Sequence, residues 1–469
     1  MSAPTDSIAT PGRAAAPGGG TGKVRRIHIP QKMRNLELLL LIVALLINGS
    51  AIALVQLGAL GKIDTQLLVL GVGLSVLVIG LHVVLRFVAR EADPFILPIA
   101  TVLNGIGIAM IYRIDISDGS MGWDSTAVRQ IVWSVVALGS ALLTVLLLRN
   151  HRVLFRYTYI SGALALLLLL LPLLPGIGRE INGARAWISL AGVSFQPGEL
   201  AKIALAVFFA GYLVRSRDSL SMVGRTVLGI RFPRARDLGP LLVMWLAAMG
   251  VMIFQHDLGT ALLYFGMFLA MLYVATGQFS WVLIGLVLFG TGAAVVANSL
   301  SYVHGRFESW LNTFSPKLYD AVGGSGQLAQ GIFGMSHGGL IGTGWGLGRP
   351  DITPVAQSDF IIASLGEELG LAGIFAILAL YILLVARGFR IGFAGHDDFG
   401  KLLAVGLAFS IALQVFIVIG GVTRVIPLTG LTTPFLAAGG SSLVSNWIAV
   451  ALLLRLSDTV RNQPRLVVE

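Results

Sequence analysis

The 469-residue chain contains no cysteine. That absence excludes a disulfide framework, a thiolate nucleophile and any cysteine-ligated metal, and it removes cysteine usage as a guide to redox compartment. Charge is scarce too: Asp, Glu, Lys and Arg make up 12% of residues against 56% hydrophobic ones, at a mean hydropathy of +0.85. A chain this apolar and this poor in charge is not a soluble globular domain. Catalytic and metal signatures are missing as well. The seven histidines have no HExxH-type spacing, so zinc is not indicated, and neither a GxSxG elbow nor a phosphate-binding P-loop occurs. The formal net charge is +10, but Lys and Arg sit in short clusters beside apolar runs and form no basic domain. That arrangement argues for anchoring at a membrane surface and against nucleic acid as a partner.

What is present is a series of long apolar runs. At about 20 residues per crossing they read as an all-α polytopic membrane protein of about twelve transmembrane helices. The expected spans lie near 36–60, 66–89, 93–113, 127–149, 155–175, 199–214, 237–255, 258–276, 279–303, 359–386, 401–421 and 431–455. Residues 1–35, rich in Ala, Pro, Gly, Ser and Thr and basic in their second half, read as a disordered cytoplasmic tail. The first apolar run is too long for the core of a cleaved signal peptide and a second span follows closely, so no segment is expected to be removed. With both termini cytoplasmic, about 23 Lys and Arg fall on cytoplasmic segments and about 9 outside, the bias of the positive-inside rule. Arg215–Asp237 is the clearest cytoplasmic loop, 388–401 is a short cytoplasmic connection, and 457–469 is a short cytoplasmic tail. The same orientation puts the loops 176–198 and 304–358 on the outer face of the plasma membrane, with the turns at 255–258 and 421–430. No internal repeat or separate soluble module is evident.

Polar groups gather near the outer ends of these spans: Arg185 and Trp187, Gln196, Glu199, Lys202, Asp257, Asp320, Gln327, Asp359, Glu367, Glu368 and Arg424. Ionisable groups at or inside a membrane usually face a cavity or a partner. Glu199 and Lys202, three apart, share a helical face and can form an ion pair; either they stabilise a helix end or Lys202 faces a cavity for an anionic headgroup. Asp257 stands where a helix N-cap would be. Arg185 beside Trp187 could be an interfacial snorkelling pair. Asp320 lies in a Gly-rich stretch, DAVGGSGQ, whose glycines permit positive φ and close approach of backbone to a ligand, but a solvated loop aspartate is the commoner meaning of such a residue. Carboxylates and a pyrophosphate could share Mg²⁺ or Mn²⁺ with retained waters and leave no sequence signature. The GGSS at 439–442 reads as tight helix packing.

At NGARAWISLAGVSFQPGELAK, QHDLGTA, DAVGGSGQ, QSDFIIASLGEELGLAG and GGVTRVIPLTGLTTPFLAAGGSSL the sequence resembles the SEDS family of RodA/FtsW cell-wall polymerases. Five motifs recur in the same order across most of the chain. The resemblance implies a SEDS-type helix bundle with a ten-helix core at 93–456, preceded by two extra N-terminal spans at 36–92, as in actinobacterial RodA-type proteins. It implies a peptidoglycan glycosyltransferase that polymerises lipid II at the outer face of the cytoplasmic membrane for cell elongation and shape. An FtsW-type division polymerase, a lipid II flippase or carrier, and a non-catalytic scaffold that recruits a transpeptidase are the alternatives. The family's essential loop aspartate falls on Asp320, seven residues before Gln327; its Glu and Lys fall on Glu199 and Lys202, and its QPDLGT aspartate on Asp257. The sequence departs from the family pattern at Ser325-Gly326, His256, Gly198, Ala186, Gln357 and the PFLAAGGSS stretch, and PKLY is inserted before Asp320.

The implied reaction transfers a sugar from undecaprenyl pyrophosphate to a hydroxyl. Asp320 is the expected general base, with Lys202, Arg185, Arg424 or a divalent metal offsetting charge on the pyrophosphate; Glu199, Asp257 and Gln327 complete the expected substrate-binding set. No organic cofactor is expected. The implied partners are lipid II, membrane lipids and a single-pass class B penicillin-binding protein transpeptidase. An apolar groove between helices should take the lipid tails.

Overall fold

The computed structural model describes residues 24–27, 33–120, 122–181, 183–190, 193–217, 226–227, 230–231, 235–321, 323–462 and 465–468. The basic tail expected at 1–35 and the cytoplasmic loop expected at 215–237 therefore lie largely outside the described residues. Fourteen helices of 11 residues or more organise the rest: α1 Arg34–Leu60, α2 Thr65–Val88, α3 Ile96–Ser117, α4 Thr126–Leu147, α5 Thr158–Leu170, α6 Pro197–Arg215, α7 Ala235–Phe254, α8 Leu258–Thr276, α9 Phe279–Ser299, α10 Ser301–Leu311, α11 Gly326–Gly338, α12 Ile361–Ala394, α13 Asp398–Val422 and α14 Gly440–Arg461. Ten of them are long and apolar enough to cross a membrane, and two shorter apolar stretches, Thr158–Leu173 and Val243–Phe254, stand where the other two expected spans fall. In lipid every backbone group must be satisfied inside the protein, which is why apolar runs of this length become helices. Side-chain caps set several of their starts. Asp64 accepts from the Gln66 N–H, Ser125 from Val128, Asp257 from Thr260 and Asp397 from Gly400.

The helices pack as one bundle, α14 against α4, α5 against α6, α12 against α13 and α1 against α3. Helix α3 is buried along most of its length, so it runs through the interior of the bundle. Alternation of crossings puts the ends at 60–65, 117–126, 170–197, 254–258, 299–361 and 422–440 on one face, and Arg34 and Arg461, the outer ends of α1 and α14, on the other.

Three stretches differ from the sequence expectation. The loop 176–198 holds a three-stranded antiparallel sheet, β1 Gly178–Ile181, β2 Ala184–Leu190 and β3 Val193–Phe195, in the order β1-β2-β3. Outside the hydrocarbon, strands that pair with one another meet their backbone needs without a helix. The loop 304–358 carries α10, a turn of helix at Pro316–Tyr319 and α11. The last span begins at Gly440 and not near 431. Pro434 cannot sit inside a helix, and side chains bind the irregular backbone before Gly440: Gln414 donates to the Thr432 carbonyl at 2.9 Å, Tyr381 to that of Pro434 and Gln130 to that of Ala437 at 3.1 Å. A Cβ at Gly440 would lie 2.1 Å from the Trp133 ring, so the GGSS stretch serves close packing.

Candidate functional site

Helix α6 starts with Pro197 in its first turn, which fits because that position needs no N–H. The spacing of Glu199 and Lys202 then turns both side chains toward the bundle, and the Lys202 Nζ lies 2.9 Å from Glu199 Oε2. The same ammonium donates to Gln414 Oε1 of α13 at 2.9 Å. All three residues are buried. Ser445 of α14 donates to the Glu199 carbonyl at 2.6 Å, and Tyr264 of α8 donates to that of Gly198. An ion pair taken out of water persists only when its remaining polar atoms find partners; here Gln414 of α13 supplies one to the ammonium, while α8 and α14 bind the backbone of the same helical turn.

Asp257 caps α8. Its carboxylate accepts from the Thr260 N–H at 3.0 Å, the Thr260 hydroxyl at 2.7 Å and the Gln196 amide at 3.2 Å. The turn before it is bent by His256 at φ 59°, and the β-sheet docks there: the Arg185 N–H donates to the Gln255 carbonyl at 2.8 Å, and the His256 ring pairs with the Gly183 carbonyl at 3.2 Å. Arg185 thus stands beside Asp257 through the backbone, while its side chain is exposed. Burial pushes the Asp257 carboxyl above the usual aspartate value; the bonds from Thr260 and the charge of Arg306 oppose this, and the Glu199 carboxylate reinforces it. Asp359, just before α12, is also pushed up by burial, against its bond from the Ser358 hydroxyl at 2.8 Å and the charge of Arg306. Arg306 of α10 therefore acts on both carboxylates, and it donates to the Thr429 carbonyl at 3.2 Å.

Asp320 follows the Pro316–Tyr319 turn on the same face of the bundle and is exposed. Among the described residues no hydrogen bond or ion pair holds its carboxylate. The loop itself is shaped by glycine: Gly323 has φ 72°, and a Cβ on Gly324 would lie 2.0 Å from the Leu318 carbonyl oxygen. Gln327 opens α11 and donates to the Pro354 carbonyl at 2.8 Å. Arg424, at φ 61°, is spent on α10, donating to the carbonyls of Trp310 at 2.9 Å and Leu311 at 2.8 Å and lying over the Phe314 ring. Glu367 and Glu368 hold a glycine-rich turn. Glu367 accepts the Arg349 N–H at 3.0 Å, and Glu368 accepts those of Gly346 and Gly348 and pairs with Arg113 at 2.8 Å.

The structure thus joins Glu199 to Lys202, and Asp257 to Gln196 with Arg185 nearby, while Asp320, Gln327 and Arg424 stand outside those contacts. Sequence reasoning missed Gln414 and Arg306. A lone Gln in the apolar run of α13 is a signal that could have found the first; nothing in the sequence pairs Arg306 with residues so distant. Among the described residues no three His, Asp or Glu side chains converge in a way that could hold a metal ion, so they offer no protein cage for Mg²⁺ or Mn²⁺. An apolar groove of about 420 Å³ runs between α1 and α3 under Trp345 and Leu369. None of the candidate polar residues lines it.

A family model described as cell cycle protein, FtsW/RodA/SpoVE, matches residues 93–462. The peptidoglycan glycosyltransferase RodA of Mycobacterium tuberculosis (strain H37Rv) is 44% identical over 435 residues, 92% of this chain and 92% of that protein. Among solved structures, a chain from a study of how a peptidoglycan synthase complex coordinates polymerization and crosslinking aligns with a TM-score of 0.57 at 28% identity, covering 76% of this chain and 97% of that one. The Thermus thermophilus rod shape determining protein RodA aligns with a TM-score of 0.55 at 26% identity, over 79% of this chain and 98% of that one.

Proposed function

The chain belongs to the FtsW/RodA/SpoVE family of cell cycle proteins, and from that premise we infer that it is a peptidoglycan glycosyltransferase that polymerises lipid II. The acceptor's 4-hydroxyl attacks the anomeric carbon of the donor sugar, the bond to undecaprenyl pyrophosphate breaks, and the hydroxyl proton passes to a carboxylate. A hydroxyl is a weak nucleophile near neutral pH, so a positioned base is useful. One observation selects that base. Of the candidate carboxylates, Glu199, Asp257, Asp359, Glu367 and Glu368 each accept a bond from a named neighbour, whereas Asp320 is exposed and unengaged among the described residues. Asp320 is the carboxylate left free to take a proton.

Charge growing on the leaving pyrophosphate needs cations placed where it develops. The residues themselves offer Lys202, two of whose contacts are Glu199 and Gln414, and the exposed Arg185. Arg424 contributes by holding α10 in place. The positive-inside count supports an orientation with both termini cytoplasmic and the Asp320 face outward. Likeness to RodA proteins supports a role in elongation and shape, and the likeness to a synthase complex supports a class B penicillin-binding protein transpeptidase as partner.

A carrier for lipid II is the competing reading, favoured by the buried Lys202–Glu199–Gln414 cluster. Detergent solution separates the two, because it leaves no bilayer to cross. The purified chain with its cognate transpeptidase and labelled lipid II is expected to give a ladder of glycan strands. Unchanged lipid II there, together with lipid II movement in vesicles, would establish the carrier instead.

A further inference from the structure

In an unbroken helix the N–H groups of Leu371 and Ala372 bond to the carbonyls of Glu367 and Glu368. Gly370, at φ 67° and ψ −173°, breaks α12 between them. All four freed groups bond to one outside segment: Leu371 N–H to the Gly339 carbonyl at 2.9 Å, Ala372 N–H to that of Leu340 at 3.0 Å, Thr343 N–H to that of Glu367 at 3.0 Å and Gly344 N–H to that of Glu368 at 2.9 Å. Glycines make the approach possible. A Cβ at Gly338 would lie 2.2 Å from the Gly366 carbonyl oxygen, at Gly342 2.2 Å from that of Glu368, and at Gly370 2.3 Å from the Gly342 nitrogen.

Depth follows from length. The helical stretch after the break, 371–394, is roughly 36 Å long at 1.5 Å per residue, against a hydrocarbon core of about 30 Å. The first charged residue after the break is Arg387, which pairs with Asp93 and sets the hydrocarbon boundary at that end. Leu371 stands sixteen residues before Arg387, about 24 Å along the axis, and so about 6 Å inside the opposite hydrocarbon boundary. The segment bonded to it lies at the same level. There Leu340 is 67% and Ile341 82% exposed, and their apolar surface runs on to the exposed Leu371 and Phe375 of α12. Trp345, of a residue type favoured at membrane interfaces, follows at once.

We propose that residues 338–343 are a re-entrant loop whose tip, Leu340–Ile341, is inserted into the hydrocarbon of the leaflet on the Asp320 face. Irregular backbone is tolerated at that depth only when its polar groups are paired within the protein, and the broken helix pairs them. The loop fixes the depth at which α11, and the Asp320 loop before it, stand over the lipid.

The cysteine-free sequence gives a direct test. Ile341→Cys, spin-labelled in the full chain and placed in vesicles of phosphatidylethanolamine and phosphatidylglycerol, is read by EPR saturation with oxygen and with a water-soluble nickel chelate. The label is expected to favour oxygen several-fold and to group with a Phe375→Cys label. Grouping with a label at the exposed Glu308→Cys, where the chelate is expected to dominate, would overturn the proposal. Leu340→Cys makes the same reading if Ile341→Cys fails to fold.

Discussion

Asp257 is at once a helix cap and a carboxylate drawn out of water. Its folded-state pKa is raised, with burial the largest cause, so the folded chain holds this proton more tightly than the unfolded chain does. The resulting stabilisation is complete below the ordinary aspartate value of about 3.9 and is lost as pH rises through the raised value. Asp257→Asn removes the titration. The melting temperature of the wild type minus that of the variant should therefore fall as pH rises above about 4, and a difference that stays level or grows would contradict the burial argument. Gln414→Leu takes one acceptor from the buried Lys202 ammonium and should destabilise by about 1.5–3 kcal/mol, the range for a hydrogen bond to a charged group; an unshifted denaturation midpoint would mean that Lys202 finds another acceptor. The Glu199–Lys202 pair was legible because three residues along a helix return to one face. The pairing of Lys202 with Gln414 was not, since their meeting across 212 positions depends on how α6 and α13 pack.

Among the elements, α12 departs furthest from what its sequence suggests. Its GEELG stretch has the polarity of a site, yet Glu368 and Arg113 form a buried pair that holds the 346–348 turn. Arg113→Met should cost about 3–5 kcal/mol by leaving Glu368 buried without its cation, and adding Glu368→Leu should recover much of that. A double variant no more stable than Arg113→Met would show that the backbone bonds to Glu368 dominate. Apolar runs announced the spans because the hydrocarbon demands about 20 apolar residues. The irregular stretch before Gly440 is just as apolar, and its backbone bonds come from Gln130, Tyr381 and Gln414 on three other helices, so it looked like a continuous helix. The small sheet at 178–195 was hidden for a related reason: short strands stabilised by a neighbouring turn leave little trace in local pattern.

At the scale of the molecule, the two N-terminal helices are part of one body with the rest. Glu37 joins Arg34 and His82 at 2.6 and 2.7 Å, Arg34 donates to the Ala92 carbonyl, and the connection to α3 is tied to α14 through Asp93 to Ser457 and Arg461. At the other face Gly58 of α1 lies so close to Trp345 that a Cβ would be 2.2 Å from its carbonyl oxygen. The extension thus reaches the turn held by Glu367 and Glu368, and it forms a wall of the apolar groove. Membrane class and the order of spans could be read from composition and run length; the coupling of α1 to the 346–348 turn could not, because glycine contacts depend on tertiary approach. The central claim is that Asp320 is the base, and it concerns an exposed side chain whose loss should leave the fold intact, within about 0.5 kcal/mol. The deciding measurement is glycan polymerisation from labelled lipid II by the wild type, Asp320→Asn and Asp320→Ala, each with the cognate transpeptidase and each checked by thermal melting. A fall of about 10²–10⁴-fold, the usual contribution of a general base, at an unchanged melting temperature is the predicted result. Polymer formed at the wild-type rate by a folded Asp320→Ala chain would contradict it.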